Sequence, residues 1–196
     1  MKYSPFHILL LGTALLAGCT ASVPEQYSEA GIAPTVYPDY SDGITIPYNI
    51  APLNFAYTME GEKYVTELKA GEQSLVVKGK QTDWDIKKWH TFLDNNKGRY
   101  IEVNAYVQTD NGWQKYRPIT WRVADEPVDP YISYRIIAPS YVTYEELSIR
   151  QRELGTFDED IIYNNMLLST DEDGQCINCH SYKNYKTDHM QFHARQ

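Results

Sequence analysis

Two thiols and an imidazole stand together near the C-terminus, in the run Cys176-Ile177-Asn178-Cys179-His180. A thiol can add across a vinyl group, and an imidazole nitrogen is a strong ligand for iron. Residues three apart on a helical turn project from one face, so this spacing predicts that both sulfurs reach the vinyls of one porphyrin. The next residue, His180, then falls within reach of the metal between them. The pattern C-x-x-C-H reads as attachment of one covalent haem c, with Cys176 and Cys179 as the attachment points and His180 as an iron ligand.

The opposite face of the iron has several candidates. His189, Met190 and His193 lie just downstream, and the chain from His180 to Met190 extends to roughly 30 Å, enough to pass a porphyrin edge. Met190 and His193 are i and i+3, so a helix would show both to the haem although only one can coordinate. Met59, Met166 and His90 are more distant candidates. Methionine there raises the reduction potential relative to a histidine pair. Tyr182 and Tyr185 flank the motif and are placed to cover the haem.

Other chemistries compete for the same residues. Cys176, Cys179, His189 and His193 form C-x2-C-x9-H-x3-H, close to a zinc finger, whose spacer is about 12 residues. That assignment leaves His180 without a role. A redox-active disulfide would need a βαβ context that the sequence does not offer. The acidic run Asp171-Glu172-Asp173 is either a docking rim for a basic redox partner or a solvated loop.

Haem c is attached outside the cytoplasmic membrane, and the N-terminus directs the chain there. Lys2 is followed by a short apolar stretch from Phe6 to Leu16, then by Leu16-Ala17-Gly18-Cys19. The stretch is too short to span a bilayer but suits a secretory signal. Small residues leading into a cysteine resemble the bacterial lipobox, in which Cys19 is lipidated and residues 1–18 are removed. Several acyl chains, at about 0.8 kcal/mol per buried CH₂, make a stable membrane anchor. Thr20, in place of Asp, points to the periplasmic face of the outer membrane. The remaining cysteines are those of the haem motif, so no disulfide is left to staple the body.

The rest must position this motif. Residues 19–40, rich in Pro, Ser, Ala and Tyr, read as a tether. Residues 41–126 carry recurring β-rich runs at Leu53–Tyr57, Tyr64–Leu68, Ser74–Lys78, Tyr100–Gln108 and Lys115–Val123. In Tyr100–Gln108, Ile101, Val103, Ala105 and Val107 share one face, the period of a half-buried strand, and Asp110-Asn111-Gly112 is a hairpin turn. One helix is predicted at Asp83–Asn95, with Asp83 as N-cap. The fold class is therefore mainly β, an immunoglobulin-like β-sandwich. Residues 127–168 form a connecting segment with a strand-like run at Tyr131–Ala138 and a helix over Tyr144–Leu154. Residues 169–196 form a small helical haem segment. A formal charge of −8 excludes nucleic acid as a partner, and no later run is long and apolar enough to span a membrane.

Four segments together resemble a family of exported TolB-like lipoproteins: Pro47–Phe55, Asp129–Arg135, Cys176–Tyr182 and Met190–Gln196. The resemblance spans most of the mature chain. It implies an N-terminal β-rich domain and one haem motif ahead of a WD40-like β-propeller. The family's haem residues correspond to Cys176, Cys179 and His180, with Met190 and His193 as ligand candidates. Residues 1–196 contain no propeller repeats, as expected of a truncated or shortened relative.

The expected function is electron transfer or redox sensing by a lipid-anchored haem protein, with a redox or envelope protein as partner and no enzymatic turnover. Nothing resembles a Ser/His/Asp set, a paired-carboxylate cleft or a phosphate loop. The alternative is a TolB-like envelope interaction lipoprotein in which haem or zinc at the C-x-x-C-H segment is structural. A haem enzyme such as a peroxidase would need an open iron site.

Overall fold

The computed structural model describes residues 21–40, 42–137, 146–167, 176–186 and 188–195. The protein is mainly β, with one α-helix among the described residues. Its centre is the long strand β7 (Tyr100–Thr109). On one side β7 pairs antiparallel with β5 (Lys63–Ala70), which continues to β6 (Gln73–Lys78). On the other side its two halves take different partners. Tyr106–Thr109 pairs with β8 (Gly112–Lys115), and Tyr100–Val103 pairs with β9 (Ile119–Val123). The break between β8 and β9 falls at Tyr116-Arg117-Pro118, where proline has no N–H to give a ladder. The single run expected over Lys115–Val123 is thus two strands. The turn at Asp110-Asn111 closes as anticipated, with Gly112 at φ 95°.

Register explains the core. Leu68, Thr66 and Tyr64 stand opposite Val103, Ala105 and Val107, while Ile119 and Trp121 stand opposite Val103 and Ile101. All of these face one cluster with Phe55 and Tyr57. The second layer over this face includes helix α1 (Ile86–Asn95), which buries Trp89, Phe92 and Leu93. Asp85, not Asp83, caps it: its carboxylate accepts from the Lys88 amide at 2.9 Å. Trp84 is buried ahead of the helix, with its amide bonded to Asn54 Oδ1, and this holds residues 83–84 outside the helical turn. The described ladders join the strands of this region into one seven-stranded sheet plus a two-stranded ribbon. They do not draw the two facing sheets of an immunoglobulin-like sandwich.

The residues read as a tether are partly built into the body. β1 (Ser28–Glu29) adds parallel to β8, and β2 (Val36–Tyr37) pairs with β4 (Ala56–Tyr57). β3 (Thr45–Ile46) likewise adds parallel to β9. The Tyr27 ring meets Tyr106 edge-on at 5.3 Å on the far face of the sheet. There Asn104 and Glu67 are buried as a cross-strand pair, with Asn104 Nδ2 donating to Glu67 at 3.3 Å. A face that alternation alone leaves to solvent is covered because aromatic residues of the 21–40 stretch outweigh its turn-rich composition.

The second unit is a three-stranded antiparallel sheet of β10 (Tyr131–Ile136), β11 (Ser148–Glu153) and β12 (Glu159–Asn164). The helix predicted over Tyr144–Leu154 is corrected to a strand from Ser148. Leu147, Ser148 and Ile149 are all buried, and the run from Ser148 is the central strand, paired with β10 on one side and β12 on the other, so ladder pairing wins over the three-and-four spacing. Residues 144–145 of that prediction lie outside the described residues. The unit is fastened to the body through the loop at 47–51. Trp89 Nε1 donates to the Ile50 carbonyl at 2.9 Å. The Asn49 side chain bonds both backbone groups of Val128 at 2.9 Å, and the Ala51 amide donates to the Leu154 carbonyl at 2.6 Å.

Trp89 is fully buried and holds this loop, so Trp89→Ala should cost about 3–5 kcal/mol, read as a lowered urea midpoint. Burial pushes the Tyr57 phenol well above its ordinary value of 10.0, against the opposing effect of its hydrogen bond with Thr66 at 2.7 Å. Above about pH 10 the unfolded chain loses this proton while the folded chain keeps it, so stability should fall as pH rises. Denaturant titrations from pH 9 to 11 should show a shallower fall in Tyr57→Phe.

Candidate functional site

The C-terminal segment is a hairpin, not the helical segment expected. β13 (Cys176–Tyr182) pairs antiparallel with β14 (Met190–Arg195), joined through a 3-10 turn at Lys183–Tyr185. The physical reason is visible in β14, where Met190, Phe192 and Ala194 alternate with Gln191, His193 and Arg195. A period of two suits a strand and spreads over too much of a helix surface to bury one stripe.

The ladder slips between Asn178 and His180. Asn178 stands opposite His193, His180 stands opposite Phe192, and Cys179 is left over as a β-bulge with φ 22°. The bulge decides which residues share a face. In an unbroken strand Ile177 and His180, three apart, would fall on opposite faces. With one residue extruded, both lie on the face of Met190, Phe192 and Ala194. Ile177 is fully buried there, against Ile149 and Tyr163, and Met190 and Phe192 pack on the same cluster. The Phe192 and Tyr163 rings lie 4.8 Å apart. The Ile177 amide donates to Asn165 Oδ1 at 3.0 Å, and Asn165 is itself fully buried.

His180 opens onto a cavity of about 880 Å³. One wall comes from Asp129–Ser133, the other from His180, Ser181, Tyr182 and the turn residues Asn184–Lys186. The two walls are tied together at one end, where Arg135 Nη1 donates to the Ile177 carbonyl at 3.3 Å. Residues 129–133 and 180–186, far apart in the chain, thus meet across one cavity. Its size lies within the range of ligand sites, roughly 300–1,000 Å³. A second groove of about 700 Å³ lies between residues 22–25 and the ends of β5 and β6, without any residue of the motif.

The remaining candidates separate. Cys179 is exposed at the bulge. Met190 shares the His180 face as its diagonal cross-strand neighbour, a relation of about 7–8 Å in an antiparallel pair. His193 is exposed on the opposite face. His189 sits at the turn end, where its ring contacts Asp188 at 3.2 Å and its carbonyl accepts from the Lys183 amide. Cys176 stands at the other end, opposite Arg195. Six residues of extended strand part His189 from Arg195, about 20 Å, so the four-residue zinc set does not converge in this conformation. Among the described residues no three His, Cys, Asp or Glu side chains gather into a metal site. His90 belongs to α1 and Met59 packs on the main core, while Met166 is exposed beyond β12. Cys19 and the acidic run Asp171–Asp173 lie outside the described residues.

Neither Cys176 nor Cys179 lines this cavity, and the register puts Cys176, opposite Arg195, on the strand face away from His180. The cavity has aromatic walls in Tyr131 and Tyr182, an imidazole in His180 and an ammonium in Lys186. The Tyr182 hydroxyl is buried without a hydrogen-bond partner among the described residues. Such a group costs about 1–3 kcal/mol. Sequence reading marked Tyr182 only as a flanking ring. Its position two residues after His180 was the signal for a shared face, legible once the segment is known to be a strand. Asp129, Tyr131, Ser133 and Lys186 carried no signal of their own.

Removal of the Asn165 side chain leaves the buried Ile177 amide unpaired. Asn165→Ala should therefore speed hydrogen exchange at that amide about tenfold or more, with the amides of β7 unchanged. No family model matches the chain, and neither a curated protein nor a solved structure matches it significantly.

Proposed function

We propose that this chain is an exported protein, anchored by lipid at Cys19 to the periplasmic face of the outer membrane. It carries one covalent haem c on Cys176 and Cys179, with His180 as iron ligand, and serves electron transfer or redox sensing without substrate turnover. The observation that carries this reading is the C-x-x-C-H set that ends in His180. When bound, the haem supplies a one-electron iron couple. Ile177 and Phe192 pin the hairpin that bears the motif to the β10–β12 sheet.

For the second ligand the register favours Met190, which shares the His180 face, over His193 on the opposite one. A second reading, an envelope interaction lipoprotein with structural haem, draws support from Ile132, Phe157, Ile161 and Leu167. These large apolar side chains of the second unit are exposed and would suit a protein partner.

Expression in a host with a haem-attachment system tests the proposal. Cys176→Ser with Cys179→Ser should abolish covalent haem and leave lipidation intact; retention of covalent haem in that variant refutes the assignment. In the holoprotein, Met190→Ala should remove a sulfur-to-iron charge-transfer band that His193→Ala leaves in place. A wild type without that band, whose low-spin spectrum is lost in His193→Ala and kept in Met190→Ala, transfers the ligand to His193.

A further inference from the structure

We propose that the open edge of β6 takes an extended acidic segment of a partner protein as an added strand, seated in the groove between β6 and α1. The proposal is independent of haem attachment.

Strand β6 closes one end of the seven-stranded sheet and, among the described residues, pairs only with β5. A bond from the Gly79 amide to the Tyr64 carbonyl at 3.0 Å fixes the phase of this ladder. Bonded and non-bonded pairs alternate along an antiparallel ladder, so Leu75 and Val77 turn their backbone groups towards β5. Ser74, Val76 and Lys78 turn theirs outwards. Their amides and carbonyls form an open edge, the template that strand addition uses.

Beside this edge lies a groove of about 440 Å³, with Ser74 and Leu75 on one wall and Lys87, Lys88, Thr91 and Phe92 on the other. Leu75 and Phe92 make its floor apolar. Asn96 Nδ2 donates to Gln73 Oε1 at 2.9 Å and ties the end of the helix to the start of the strand. Two ammonium groups and no carboxylate line the groove among the described residues, although the chain carries a formal charge of −8. Glu72 sits in the β5–β6 turn, outside that lining. Asp85 is engaged in capping the Lys88 amide, and Asp94 pairs with Lys97. Lys87 and Lys88 stand in the first turn of α1, where the helix dipole disfavours a cation. Their placement works against the helix and favours an anion bound beside it. An acidic strand therefore complements the site in charge as well as in backbone. A second copy of this chain does not, since pairing two β6 edges brings two identical basic grooves together.

The probe is a synthetic hexapeptide of alternating valine and glutamate, acetylated and amidated, titrated into the full-length protein. Amide hydrogen exchange followed by NMR reads the edge residue by residue. At saturation the amides of Ser74, Val76 and Lys78 should slow about tenfold or more, while those of Leu75 and Val77, already bonded to β5, should not change. Lys87→Glu combined with Lys88→Glu should weaken binding about tenfold or more without loss of the fold, because the helix dipole favours the new charges. Val76→Pro removes one outward amide and leaves the β5 ladder whole, so it should abolish binding. A hexapeptide of alternating valine and lysine should not bind. Unchanged exchange at the three outward amides overturns the proposal, as does equal affinity for the lysine peptide or in the double glutamate variant. Protection of the same amides that grows with protein concentration in the absence of peptide assigns the edge to a second copy and likewise overturns it.

Discussion

A single extra residue in one strand sets the chemistry of the C-terminal hairpin. Strand side chains alternate strictly, so a hairpin with Ile177 in the core would turn His180 away from it. The bulge at Cys179 resets the alternation. Ile177 can then anchor the hairpin in the apolar cluster while His180 and Tyr182 face the cavity. The same slip extrudes Cys179, whose backbone adopts a positive φ that residues other than glycine seldom take. Such a conformation persists only where the flanking pairs enforce it, and here Asn178 opposite His193 and His180 opposite Phe192 do so. The exposure of the second cysteine and the inward turn of the histidine are two results of one register shift.

The body provides the platform. Its main core is large and aromatic, with Trp84, Trp89 and Trp121 all buried. Among the described residues, the cluster under the hairpin has Ile149, Tyr163 and Ile177 buried within it. The second unit therefore leans on the first through polar bonds, from the Asn49 side chain to the Val128 backbone and from the Ala51 amide to the Leu154 carbonyl. Loop 47–51 is fixed in turn by the Trp89 indole on α1. This line of contacts runs from the most stable part of the molecule to β10, whose first residues form one wall of the cavity. A site on a sparse core, held by a rigid neighbour, is free to adjust locally without loss of the fold.

The strands of the body were legible because their apolar residues alternate over long runs: Ile101, Val103, Ala105 and Val107 define a face by themselves. The hairpin at Asp110-Asn111 was equally clear from turn chemistry. The C-terminal hairpin was misread as helix because i, i+3 spacing in C-x-x-C-H and between Met190 and His193 matches a helical face, while the alternation in β14 spans only six residues. A bulge leaves no mark in a sequence when the extruded residue is not glycine. Tertiary closure was also hidden. Nothing local announces that Asp129–Ser133 would stand across a cavity from His180, since about fifty residues separate them. The tether reading failed in part for the same reason, as β1 and β2 find their partners in β8 and β4, far along the chain.

The central claim is that two sulfurs of this hairpin carry a porphyrin. The most direct measurement is the mass of the tryptic peptide ending at Lys183, which contains both Cys176 and Cys179, from wild-type protein made in a host able to attach haem. The account predicts that this peptide gains the mass of one haem, absorbs in the Soret region and resists extraction of the chromophore by acidified solvent. A colourless peptide with two unmodified cysteines would contradict it.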